Sequence, residues 1–143
     1  EHDARRAVSA DHSLIPDAME ESLRFNTSAQ RFKRCLQIDT ELHGQTMKAG
    51  DFVCLAYGAG NRDERRFPDP DRYDILRKPR FHLGFGSGVH TCLGVTIARM
   101  AVRIAFEELH RQVRDYHRVD ARLPWMPSST FRSPLRLELE VHA

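Results

Sequence analysis

Apolar residues recur at four-residue spacing in "IPDAMEESLRF", where Ile15, Met19 and Leu23 share one face. That period predicts an amphipathic helix. Asp11 to Pro16 reads as the turn that starts it, with Pro16 in the first turn and Asp17, Glu20 and Glu21 in the N-terminal half. Asn26-Thr27-Ser28 ends it. In "FKRCLQIDTELHGQTMKAGDFVCLAYG" the period shortens, and Gly44 and Gly50 break the stretch into strand-like runs. A small antiparallel sheet is predicted, with "DFVCLAY" its best strand. "NRDERRFPDPDRYDILRKPR" has no period, but Phe67, Tyr73 and Ile75 are spaced apolar anchors. It is therefore expected as an ordered loop pinned to the body. "LGVTIARMAVRIAFEELHRQV" carries two apolar rows, Ile97, Met100, Ile104 and Val95, Ala98, Val102, Phe106, Leu109. Arg99, Arg103, Glu107, His110 and Arg114 fill the remaining face. A long, largely buried helix with one solvent stripe is predicted. At the end, Leu135, Leu137, Leu139 and Val141 alternate with Arg136, Glu138 and Glu140, the pattern of a half-buried strand. The expected class is α+β, mainly α, as a single unit over residues 1–143.

Composition narrows the setting. The chain has 143 residues, 41% hydrophobic and 29% charged, as in ordinary globular protein. The 22 basic and 20 acidic residues nearly balance at +2. Nothing there calls for nucleic acid or an anionic membrane as partner. No apolar run is long enough to span a bilayer, and no signal peptide opens the chain. The sequence begins at Glu1 rather than Met. Three cysteines, Cys35, Cys54 and Cys92, without CxxC spacing argue against a disulfide scaffold and a structural zinc site. They fit a reducing compartment, so a cytoplasmic location is expected.

The candidate chemistry lies in "FGSGVHTCLG", Phe85 to Gly94. A phosphate loop is a poor match, because no third glycine completes GxGxxG and no Gly-Lys-Ser/Thr follows. His90 and Cys92 are awkwardly spaced for zinc, and no second pair has metal-ligand spacing. Cys92 at a helix start suits a nucleophile, since the helix N-terminus stabilises a thiolate. A nucleophile, however, has no use for Gly84, Gly86 and Gly88. A small cysteine packed in a turn is the commonest fate of such a residue. One reading uses every residue: a thiolate ligand to haem iron. Glycines let a flat porphyrin approach the backbone. The following helix start stabilises the sulfur anion. Gly94 lets that helix lie against the macrocycle, Phe85 covers the sulfur and His90 reaches a propionate. Thiolate ligation favours cleavage of the O–O bond.

The stretch resembles the haem-binding signature of the cytochrome P-450 monooxygenases, soluble bacterial type. Phe85, Gly88, His90, Cys92 and Gly94 fill its fixed positions. Glu21 and Arg24 in "EESLR" resemble the family's Glu-x-x-Arg, and "NRDERRFPDPDRYD" its meander, with Arg72 as the third member of that ion network. Arg34 resembles the arginine that holds a haem propionate. The resemblance runs from about Ser9 to Val141. Taken singly, each of these residues reads as an ordinary surface or loop group; together they specify the family.

The resemblance implies haem (iron protoporphyrin IX) held by Arg34, Phe85, Gly86, His90, Cys92 and Gly94, with Cys92 the iron ligand. It implies a small organic substrate near Ala29, Gln30 and Ser129, with Arg31, Ser128 and Thr130 beside them. It also implies insertion of one atom of O2, with electrons from a ferredoxin or similar partner. The family fold is roughly three times longer than this chain. The resemblance covers its C-terminal portion and lacks the central Ala-Gly-x-x-Thr helix that delivers protons. Two readings follow: the C-terminal portion of a monooxygenase, inactive alone, or a truncated binding or interaction module. In either case the uncovered apolar faces imply self-association.

Overall fold

The computed structural model describes residues 2–113, 115–120 and 122–142. Helix α1, His2–Ala10, opens the chain. Its short, charged sequence carries only Ala4, Ala7 and Val8 as an inner face, and the sequence reading did not anticipate it. Asp11 then caps a short 3₁₀ turn by accepting from the Ser13 amide at 2.9 Å. Helix α2 follows at Ile15–Asn26, with Pro16 at its start. Val8, Ile15 and Ile75 form a small apolar core, flanked by Ala18 and Tyr73.

Strands β1 (Phe32–Cys35) and β4 (Phe52–Leu55) pair antiparallel, Phe32 opposite Leu55. Strands β2 (Thr40–Leu42) and β3 (Gln45–Met47) form a second hairpin, turning through Gly44 at φ 74°. The predicted single sheet is thus a set of separate two-stranded ribbons. The predicted strand also ends early, because Tyr57–Gly60 coils into a short helix, α3.

The loop from Asn61 to Arg80 is ordered by its anchors. Phe67 and Ile75 are buried, and Tyr73 Oη lies 2.8 Å from Ser22 Oγ on α2. After the cysteine loop comes α4, Val95–Gln112. Strands β5 (Asp115–Arg118) and β6 (Leu139–His142) close the fold as a terminal antiparallel hairpin. Arg114, part of the expected polar face, lies outside the described residues.

Two burial expectations fail. No residue of α4 is buried, and Ile97 (67%), Met100 and Ile104 are exposed. In the terminal segment Leu135, Leu137, Leu139 and Val141 are exposed too. Periodicity marks a face built to be covered; it does not supply the cover, and among the described residues α4 packs chiefly on α2. Among the described residues, no helix is long and apolar enough to cross a membrane.

Candidate functional site

The largest fully buried side chains are polar: Arg24, Glu21, Asn61 and Thr27. Arg24 and Glu21 are one turn apart on α2 and form a bidentate pair, with Nε and Nη2 each 2.8 Å from a carboxylate oxygen. Arg24 Nη1 also donates to the carbonyls of Asn61 and Pro70, both at 2.9 Å, and Nη2 donates to that of Arg72 at 3.3 Å. All five guanidinium N–H donors are thereby used. Glu21 accepts in turn from the Asp74 amide at 2.9 Å and from Arg77 Nε at 3.3 Å. The third arginine of this network is therefore Arg77, not Arg72. Arg72 is exposed and contributes only its carbonyl. Both arginines sit in the same loop, and it is the Arg77 side chain that reaches Glu21 on α2.

Asn61 ties this network to the cysteine loop. Its Nδ2 donates to Thr27 Oγ1 at 2.7 Å, and its Oδ1 accepts from the Leu83 amide at 2.6 Å. His82 is the next anchor. Its Nδ1 accepts from the Gly84 amide at 3.0 Å, so the proton sits on Nε2, which donates to Glu20 Oε2 at 2.8 Å. Glu20 also accepts from Arg99 of α4, at 2.6 and 2.8 Å. Burial alone would raise the Glu20 carboxyl, but the bonds from His82 and Arg99 outweigh it and pull the group down to about 2. The Arg99 guanidinium lies 5.2 Å from the centre of the Phe85 ring. Asn61, Glu20, His82 and Arg99 were not found in the sequence. Their partners lie tens of residues away, and no local spacing links them.

On this platform rests the turn that holds Cys92. Its amide donates to the Phe85 carbonyl at 2.8 Å, closing the loop. Gly86 has φ 75°, and a Cβ there would meet the His90 carbonyl oxygen at 3.1 Å. Both conformation and close approach therefore require glycine. Gly88 has φ 65° with open space around it, so there the conformation alone selects glycine. At Gly84 a Cβ would lie 2.9 Å from the His82 ring and 3.1 Å from Leu23, which seats the loop directly on α2. Gly94 is the residue before α4, with φ −85°, and a Cβ there would stand 3.9 Å from Cys92 Sγ. Cys92 is exposed at the foot of α4. Val89 (98%) and Leu93 (101%) stand fully exposed beside it. Phe85 is half-buried with its ring near both Arg99 and His82, and Cys92 itself stays open.

The structure thus gathers Phe85, Gly86, His90, Cys92 and Gly94 in one turn, with His90 exposed. Arg34 sits on β1, where its guanidinium donates to the Lys33 carbonyl at 3.0 Å. Its ribbon reaches the loop through Phe32, whose ring lies 5.7 Å from that of Tyr57, the neighbour of Gly86. The third group of sequence candidates also comes together. Ala29 bridges to Phe131, and the Gln30 amide donates to the Thr130 carbonyl at 2.8 Å. Arg31 Nε donates to the Ser129 carbonyl at 2.6 Å, so it is engaged within the chain. The Gln30 side-chain amide turns back to the Thr27 carbonyl, and its Oε1 would lie 2.8 Å from any Cβ at Gly58.

The family model described as "Cytochrome P450" matches residues 10–113. "Cytochrome P450-terp" of a Pseudomonas species is 45% identical over 100 residues, 70% of this chain and 23% of that protein. The "Methyl-branched lipid omega-hydroxylase" of Mycobacterium tuberculosis H37Rv is 48% identical over 103 residues, 71% of this chain and 24% of that protein. A solved cytochrome P450 from Chondromyces apiculatus superposes with a TM-score of 0.91 at 39% identity, over 95% of this chain and 35% of that one. The chain spans about a quarter of the length of the curated relatives it matches.

Proposed function

Because the chain belongs to the cytochrome P450 family, whose members use haem, we propose that it is the C-terminal portion of a haem-thiolate monooxygenase, with Cys92 the iron ligand. One observation carries the reading. Cys92 stands exposed at the start of α4, in a turn that Gly86 and Gly88 strip of side chains. The residues present fit a flat apolar group with a soft metal: a thiolate donor, a bare backbone, and Val89 and Leu93 with nothing over them. When bound, the iron porphyrin supplies dioxygen activation, which inserts one oxygen atom into a small organic substrate with electrons from a ferredoxin-type partner.

The chain's own residues hold and orient. Cys92 offers its sulfur just ahead of the first turn of α4, on a loop closed by its own amide on the Phe85 carbonyl. His90 and Arg34 hold the propionates by charge-assisted bonds. Glu21, Arg24 and Arg77 fix the loop from Asn61 to Arg80 against α2, and Asn61 passes that rigidity to Leu83. The segment at Ala29, paired with the turn at Ser129, borders the substrate. A relative named as a hydroxylase supports oxygen insertion as the reaction class. The test is titration of the purified chain with haem. The expected result is one equivalent bound, with a thiolate-type spectrum in the reduced carbon monoxide complex. Saturable binding without that spectrum would remove Cys92 from the role.

A further inference from the structure

The terminal hairpin carries a cluster of metal-ligand side chains, on elements separate from the cysteine loop and beyond the residues the family model matches. In the β5–β6 register His117 lies opposite Glu140, and Asp115 opposite His142. Side chains alternate along a strand, so these four share one face of the ribbon. One ligand atom each from His117, Glu140 and His142 falls within 4.8 Å of the others. His117 Nε2 is 3.0 Å from Glu140 Oε2, and the His117 and His142 rings stack at 5.5 Å and 21°. Asp115 is held aside by Arg5 at 2.6 Å.

We propose that His117, Glu140 and His142 bind a zinc ion that clips the two strands of this hairpin together. Two imidazoles and a carboxylate suit zinc, whereas calcium and magnesium take oxygen donors. Zinc–ligand bonds of about 2.0–2.2 Å place tetrahedral donors roughly 3.3–3.6 Å apart. Small side-chain rotations reach that spacing from the one observed, and all three residues are exposed and free to make them. Water completes the fourth position. Local spacing could not reveal the cluster, because the two histidines come from the two ends of a long connection and meet only through strand register.

The test is zinc titration of the metal-stripped chain by calorimetry. Cys35, Cys54 and Cys92, all exposed, are replaced by Ser so that thiolates cannot compete. One equivalent of zinc should bind. His117→Ala and His142→Ala should each weaken it by at least about tenfold, as loss of even a supporting group does at metal sites. Zinc should also slow amide exchange in β5 and β6, and in neither His variant. Absence of saturable binding, or full affinity retained in the double variant His117→Ala/His142→Ala, would overturn the site. Unchanged exchange on zinc binding would overturn the clip.

Discussion

The buried network around Arg24 and the open surface around Cys92 are built on opposite terms. In the first, every charge has partners from this chain, drawn from α2 and the loop from Asn61 to Arg80. In the second, large apolar side chains have no cover among the described residues. Directional bonds satisfied inside the chain hold its shape whatever surrounds it. Apolar surface gains stability only when something lies on it. The chain therefore carries its own scaffold, whereas the face around Cys92 gains stability only from what comes to cover it.

That contrast can be broken most severely at Arg24. Arg24→Ala would leave the buried Glu21 carboxylate with little compensation, at a cost of about 3–5 kcal/mol. We expect loss of the cooperative thermal transition. A melting temperature close to wild type would show that the network holds nothing. Arg72→Ala, by contrast, should change stability by under about 0.5 kcal/mol, because only its backbone participates.

A smaller effect sharpens the link between network and loop. The Glu20 carboxyl is depressed from its ordinary value of 4.5 to about 2 in the folded chain. Its contribution is therefore complete above about pH 4.5 and is lost as the pH falls toward 2. With solvent screening we expect about 1–2 kcal/mol from this group. Glu20→Gln should flatten that part of the acid unfolding curve; an unchanged curve would show that the group is not coupled to folding.

Mildest at the level of one molecule is the exposed face. Leu93→Ser should leave the melting temperature nearly unchanged, since Leu93 is fully exposed. It should, however, reduce self-association seen by light scattering, because large apolar patches drive it. A wild-type chain that stays monomeric at all concentrations would refute that expectation.

The same contrast explains what the sequence could tell. The tight, glycine-dependent turn from Phe85 to Gly94 was legible because its shape depends on residues within ten positions. Glu21 and Arg24 were legible because they lie one turn apart on one helix. Arg77 was missed for Arg72, since a loop without period gives no sign of which side chain turns inward. Asn61, His82 and the Glu20–Arg99 bridge were missed because tertiary packing alone joins them. The burial of α4 was overestimated for a related reason: an apolar face shows that a partner is wanted, and the partner is not within these residues.

The central claim is that this chain exists to present Cys92 to haem iron. The direct measurement is the reduced carbon monoxide spectrum of the haem-loaded chain in three single variants, Cys35→Ser, Cys54→Ser and Cys92→Ser. The account predicts a thiolate-type spectrum in the first two and its complete loss in the third. A thiolate-type spectrum that survives Cys92→Ser would contradict it.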